Sequence, residues 1–263
     1  MAAGETDKPV SAPVLAALLP DEPRWIDLRG LLLTGRCNLW AEPAPEHGFV
    51  AGSWDFPFAG LYGRPRPGLI AEAAAAGRAA CAGRYLAEEW QLLAAPEDRP
   101  RVAAALPGWR RREIVLHRWE GTLAKPHADL GAAPGAEIRL LPDGHRTAGL
   151  DLGHVPESSR REYILDWVAG RPMAVAVADE QPVSFCYAAF TTERLWDAAI
   201  ETLEPYRRRG LAAACFLTLA AHMAARGRTP TWGALEDNPA SLGLAARLGF
   251  VRDARLDGWF TAG

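Results

Sequence analysis

Apolar residues recur along the chain in short runs, separated by Gly, Pro and charged residues, and the spacing within each run predicts an element. Residues 1–20 are small, Pro-containing and aperiodic, which predicts a flexible N-terminal arm, with ordered structure from near Trp25. The runs NLWAE (38–42) and GFVAGSWDFPFAGLYG (48–63) are rich in aromatic and β-branched residues and predict strands. GLIAEAAAAGRAA (68–80) predicts a helix started by Pro67 and Gly68. A short strand (RYLAEEW, 84–90), a helix ended by Pro107 and Gly108, and an apolar strand (EIVLHRW, 113–119) follow.

Residues 120–135 are small and Gly- and Pro-rich, the composition of a linker. This places an N-terminal α/β lobe at 21–132 and a second domain at 133–263. The second domain is predicted to begin with a strand at 137–142 and a helix at 156–170. The strands MAVAVAD (173–179) and PVSFCYAAF (182–190) come next, joined by a polar turn at Asp179–Gln181. A third strand, RLWDAAIETL (194–203), runs into EPYRRRG and a helix over 211–226.

Composition narrows the function classes. With 263 residues, 49% hydrophobic, 23% charged and a formal net charge of −3, the chain is neither a polycation nor a disordered polymer. Bulk charge gives no case for a nucleic-acid or membrane partner, and no apolar stretch has the length of a membrane-spanning helix. A cytoplasmic location is expected. Cys37, Cys81, Cys186 and Cys215 are widely spaced, without a CxxC, and the six histidines form no HxH or HExxH pattern. Reduced thiols and no metal are expected. Trp25, Trp40 and Trp54 can line an apolar pocket or fill the core, and Arg110 to Arg112 read as a solvated edge.

The chemistry concentrates where the strand at 194–203 turns into the helix at 211. N–H groups at a helix start lack intrahelical acceptors and carry the positive end of the dipole, so an anion placed there finds several donors. Gly210 and Ala212 permit close approach to the backbone, whereas Arg207, Arg208 and Arg209 are unfavourable beside that dipole unless an anion lies between them. Neither G-x-x-x-x-G-K-[ST] nor G-x-G-x-x-G is present.

Arg207, Gly210 and Ala212 fill the pattern [RQ]-x-x-G-x-[GA], and Asn238, Ser241, Leu248, Gly249 and Phe250 follow in a segment (229–250) of strand, Asn and a helix ending in Leu-Gly-Phe. Together these motifs make residues 137–263 resemble the GNAT superfamily of acyl-CoA-dependent N-acyltransferases. The resemblance implies an α/β (α+β) fold with a mixed, mostly antiparallel, splayed sheet flanked by helices. It also implies acetyl-CoA or another acyl-CoA as co-substrate, with a small-molecule amine as acceptor. The pyrophosphate would rest on Arg207, Arg208, Arg209, Gly210, Leu211 and Ala212. The pantetheine would pair with Glu201, Thr202 and Leu203, and Asn238 would reach the cofactor arm.

The phenol that many family members carry in the last helix is missing, since Leu244 is followed by Ala245. Ser241 is the nearest hydroxyl, either binding cofactor, protonating sulfur or capping its helix. Glu201 is the first candidate base and Asp197 the second; solvation of the strand's polar face is the alternative for both. Cys186 and Tyr187 lie on a predicted central strand, as core residues or, for Cys186, as an acyl acceptor facing the cleft and, for Tyr187, as a replacement phenol. The missing Tyr keeps a non-catalytic CoA-binding regulatory module open as a second reading. The N-terminal lobe repeats the family's order in outline and reads as a degenerate copy without the phosphate motif. It either completes the acceptor side of the cleft or forms a homodimer surface.

Overall fold

Strands form along the apolar runs, and they fall into two units. The computed structural model describes residues 11–54, 56–81, 90–123, 135–141, 151, 153–155 and 171–261. Unit 1 comprises Met1–Pro20, Leu28–Arg110 and Trp259–Gly263; unit 2 comprises Asp21–Asp27 and Arg111–Gly258. Residues 124–134 of the expected linker, and the helix expected at 156–170, lie outside the described residues.

In unit 1, β1 (Cys37–Ala41), β2 (Gly48–Ser53) and β3 (Phe58–Gly63) form an antiparallel meander. The helix α3 (Pro67–Cys81) then returns the chain so that β4 (Gln91–Ala94) lies parallel to β3. Only Trp90 of the strand expected at 84–90 is described, and pairing begins one residue later. The helix α4 (Arg99–Ala105) ends before Pro107, as its sequence predicts. Val50, Leu61, Ile70, Trp90, Leu92, Val102 and Trp259 share one core, with Trp40 packed at its edge. Trp54 is 46% exposed, with Nε1 donating to Asn38, so it is not part of that core.

The stretch 11–20 differs from expectation. It contains a one-turn helix, α1 (Ala12–Ala16), with Leu15, Ala16 and Leu19 buried, and Arg29 donates to the carbonyls of Ala16 and Leu19. One turn is too short to display a period, so the pattern gave no sign of it.

Unit 2 holds β5 (Arg110–Trp119), β6 (Ala136–Leu141), β7 (Met173–Ala178), β8 (Gln181–Thr191), β9 (Leu195–Thr202), β10 (Thr229–Leu235) and β11 (Phe250–Phe260). Their order across the sheet is β11-β5-β10-β9-β8-β7-β6. β6, β7, β8 and β9 pair antiparallel in sequence, β10 pairs antiparallel with β5, and β9 and β10 pair parallel. The polar turn between β7 and β8 carries positive φ at Asp179 and Glu180, the geometry of a type I′ hairpin. β5 begins at Arg110, earlier than its apolar run. Arg111 is ion-paired to the buried Asp257 at 2.7 Å and Arg112 to Asp237 at 2.7 Å, so the basic edge is used for pairing.

The helix between β9 and β10, α5 (Leu211–Ala224), turns its apolar side to β7, β8 and β9. Phe216 lies at its centre, stacked on Trp196 at 5.9 Å and edge-on to Trp119, Trp232 and Phe250. The shorter α6 (Pro239–Arg247) follows β10. The aromatic contacts fix both the height of α5 over the sheet and the direction in which its first turn points.

Candidate active site

Two parallel strands that begin together and then part create the site. β9 and β10 are in register over Leu195–Asp197 and Thr229–Thr231, with Asp197 opposite Thr231 as the last pair. Beyond that point β10 continues with β5 and β9 continues with β8. The remaining half of β9 therefore has a paired edge and an open edge. Leu203 N–H donates to the Val183 carbonyl, and pairs alternate along an antiparallel ladder, so Glu201 and Ala199 also direct their peptide groups to β8. Ala198, Ile200 and Thr202 direct theirs to the open edge, where the Thr202 carbonyl accepts from Arg207 Nε at 3.0 Å. Of the expected trio, Thr202 thus presents its backbone to the cleft, while Glu201 and Leu203 do not. Ala198 and Ile200 were not anticipated, because the parity of a strand follows from its neighbour and not from its own sequence.

At the end of β9, a single turn of 3-10 helix at Glu204–Tyr206 leads into Arg207, Arg208, Arg209 and Gly210. Arg208 has φ 63° and Gly210 φ 79°, two left-handed residues that curl the backbone immediately before α5. Gly210 caps α5 without a side-chain hydrogen bond, and the first turn carries no acidic residue. The first N–H groups of the helix, at Leu211 and Ala212, are consequently available to an anion. Arg209 lies over the Tyr206 ring at 5.0 Å, and Arg207 Nη2 is 3.8 Å from Glu201 Oε1. The arginines thus lie about the turn, and Glu201 belongs to the end of the strand that meets them.

Across the opening, Asn238 caps α6, its Oδ1 accepting from the Ser241 N–H at 3.1 Å. Ser241 Oγ accepts from Trp232 Nε1 at 3.0 Å, which leaves the hydroxyl hydrogen free to donate elsewhere. After α6, Trp119 Nε1 donates to the Leu248 carbonyl at 2.8 Å and Glu120 N–H to that of Gly249 at 3.0 Å, which fixes the Leu-Gly-Phe turn.

The titratable groups separate into inert and poised. Cys186 and Cys215 are buried, and burial pushes both thiols up; Cys215 reaches about 12. His117 is buried with Nδ1 3.3 Å from the Trp232 carbonyl, and desolvation lowers its pKa. On β9, Trp196 faces α5, so alternation puts Asp197, Ala199 and Glu201 on the opposite face. Asp197 is raised well above the usual carboxylate range, first by burial and then by the nearby Asp27, while Thr231 hydrogen-bonds its carboxyl. Asp27, in the first turn of α2 (Ile26–Thr34), is pushed up to about 7 by burial. Among the described residues no cluster of His, Cys, Asp and Glu suits a metal ion, and no helix is long and apolar enough to cross a membrane.

Comparison with known proteins agrees with this geometry. Residues 174–258 match the family described as GNAT acetyltransferase, a span that holds β9, the turn, α5, β10 and α6. No curated protein sequence matches the chain. Among solved structures, a GCN5-related N-acetyltransferase-like protein from Streptococcus suis superposes with a TM-score of 0.67 at 20% identity, covering 95% of this chain and 97% of that one. A GCN5-related N-acetyltransferase from Kribbella flavida gives 0.56 at 14% identity, covering 91% and 95%. A tandem GNAT protein from the clavulanic acid biosynthesis pathway gives 0.53 at 17%, covering 95% and 96%. The likeness in structure extends over both units, while the sequence match is confined to unit 2. Residues 174–258, which hold the site, are thus similar to the GNAT acetyltransferase family, and the fold of the chain as a whole is similar to that of solved GNAT proteins.

Proposed function

We propose that the protein transfers an acetyl group from acetyl-CoA to a primary amine of a small molecule, by direct attack of the amine on the thioester. The observation that carries this reading is the continuity of two binding features: an unpaired strand edge at Ala198, Ile200 and Thr202 that leads to an uncapped helix start at Gly210. An amide-containing arm pairs with the first as an added strand, and a pyrophosphate is bound by the second through the N–H groups of Leu211 and Ala212 and the side chains of Arg207, Arg208 and Arg209. Asn238 retains its side-chain NH2 for the cofactor arm, and Ser241 retains a hydrogen for the leaving thiolate. The thioester is the activated acyl donor; the chain's own part is to align it, keep its carbonyl near main-chain N–H groups, and take a proton from the amine.

Unit 1 is read as a degenerate copy. Its β3, α3, β4 and α4 repeat the order of β9, α5, β10 and α6, including the parallel strand pair. The start of α3 is already supplied with an anion from the chain itself, since Glu42 Oε1 accepts the Arg66 N–H at 2.7 Å and Pro67 occupies the first turn. The cradle in unit 1 is filled by that carboxylate, so one acyl-CoA per chain is expected.

Calorimetric titration of acetyl-CoA tests the reading. Binding in the micromolar range to the wild type, weakened at least about 100-fold (~2.7 kcal/mol) in Ala212→Trp, is the expected result. No binding by the wild type overturns it.

A further inference from the structure

We infer that the acceptor amine is carried on an apolar body, aryl or branched alkyl, which lies over Gly233 where β9 and β10 part. The inference rests on the acyl-CoA reading above and names the class of amine that the same site selects.

Strand parity brings small and apolar residues to that point. Trp119 and Trp232 face Phe216 of α5, so Ile114, Leu116, Gly233 and Leu235 alternate to the other face of the sheet. Ala199 of β9 lies on that face too, with Tyr187 of β8 directly opposite it. The last pair between β9 and β10 is Asp197 with Thr231, and Ala199 and Gly233 each follow it at the next position on this face. The opening therefore begins between two small residues, one on each strand, with Leu116 and Ile114 beside the glycine.

Nothing within the chain requires glycine at 233. The residue is exposed in the interior of β10 without a positive φ, and a Cβ there would meet only Leu116 Cδ2 at 3.5 Å and Ile114 Cγ2 at 3.9 Å, ordinary contact distances. Glycine weakens a strand interior, and a ligand that approaches the backbone closely is a reason for its presence there. Glu236 N–H donates to the Glu113 carbonyl, so by alternation Gly233 directs its own peptide group away from β5 and toward the opening. Its backbone is thus bare both on the face and at the edge.

Charge decides which amines suit such a floor. The carboxylates that border it are held by arginine: Asp237 by Arg112 at 2.7 Å, Asp253 by Arg118 at 3.4 Å, Glu120 also by Arg118, and Glu201 by Arg207 at 3.8 Å. Asp197, itself bonded by Thr231, can balance only one ammonium. An amine with several ammonium groups would have to compete with these guanidinium groups. An apolar body instead displaces water from Leu116 and Ile114 and leaves every pair intact.

The transfer itself balances. The amine nitrogen forms the C–N bond as the C–S bond breaks, and the electron pair leaves with sulfur. Of the two protons that the ammonium loses, one ends on the thiol and one in solvent.

The test uses the full-length protein with acetyl-CoA and benzylamine, propylamine or spermidine. Thiol release gives kcat/KM for each amine, and calorimetry follows benzylamine binding to the protein saturated with CoA, where no acetyl group is present to react. Expected are a kcat/KM for benzylamine at least about 10-fold above those for propylamine and spermidine, and benzylamine binding to the CoA complex. Gly233→Val places a strand-favouring side chain over the floor. In that variant the preference for benzylamine over propylamine falls at least about 10-fold, through KM, and benzylamine binding to the CoA complex weakens. Gly233→Ala gives an intermediate loss, and acetyl-CoA affinity is unchanged in both variants. A wild type that prefers spermidine, a Gly233→Val variant of undiminished preference, or one that loses acetyl-CoA affinity would each overturn the inference. So would a wild type that binds acetyl-CoA and acetylates none of these amines. Failure to bind acetyl-CoA would instead remove the functional reading beneath it.

Discussion

At the scale of single residues, the site is shaped by backbone positions that only some side chains tolerate. Gly249 has φ +87°, and a Cβ there would stand 2.8 Å from Cα of Gly121 and 3.1 Å from its N, backbone atoms that cannot yield. Gly227 has a similar φ of +72° but nothing within 4 Å. Gly249→Ala is therefore expected to cost at least ~2 kcal/mol, and Gly227→Ala only ~1 kcal/mol, as read from denaturant midpoints. A smaller loss at Gly249 than at Gly227 would contradict this account of the Leu-Gly-Phe turn. The Leu-Gly-Phe motif is visible in the sequence; its reason, the backbone of residue 121 pressed against residue 249, is a contact between segments far apart in the chain.

Among elements, α5 determines where the proposed anion site lies, and Phe216 determines where α5 lies. The Phe216 ring meets Trp119, Trp196, Trp232 and Phe250, which come from β5, β9, β10 and β11. Phe216→Ala leaves a cavity among four aromatic neighbours, and a loss of ~3–5 kcal/mol is expected in equilibrium unfolding. Acetyl-CoA affinity should fall with it, because the first turn of the helix loses its height over the strand ends; unchanged stability would show that the cluster is not what holds the helix. The sequence marks α5 by its apolar run and its Arg-Gly turn. It does not mark the open edge of β9, because which peptide groups face the cleft depends on pairing with β8. Nor does α2 carry any local sign that the charge of Asp27 acts on Asp197, residues 170 positions apart in the chain.

For the whole molecule, the raised carboxyls make stability depend on pH in an uncommon direction. Native Asp27 and Asp197 hold protons that the unfolded chain has already released above pH 4, so between that point and neutrality the native state binds more protons. The contribution of these two groups to stability is then greatest below the ordinary aspartate range and is lost as pH rises through about 7. A rise from 3.8 to about 7 at Asp27 corresponds to at most ~4 kcal/mol. Asp27→Asn should unfold at a higher temperature than the wild type at pH 8 and show a flatter pH dependence. Equal melting curves for the two proteins at pH 8 would contradict the burial of that carboxyl.

The sequence by itself determined the Arg207 to Ala212 turn at the start of a helix and the Asn238 to Phe250 segment. Each is local, written in consecutive residues whose spacing sets one turn or one cap. Tertiary structure decided the rest: that β9 leaves β10 after Asp197, that Ala198, Ile200 and Thr202 present the free edge, and that the charge of a carboxyl from α2 is felt by the one on β9. These depend on strand order and on segments distant in the chain, and no local pattern of hydrophobic and polar residues encodes which neighbour a strand will have.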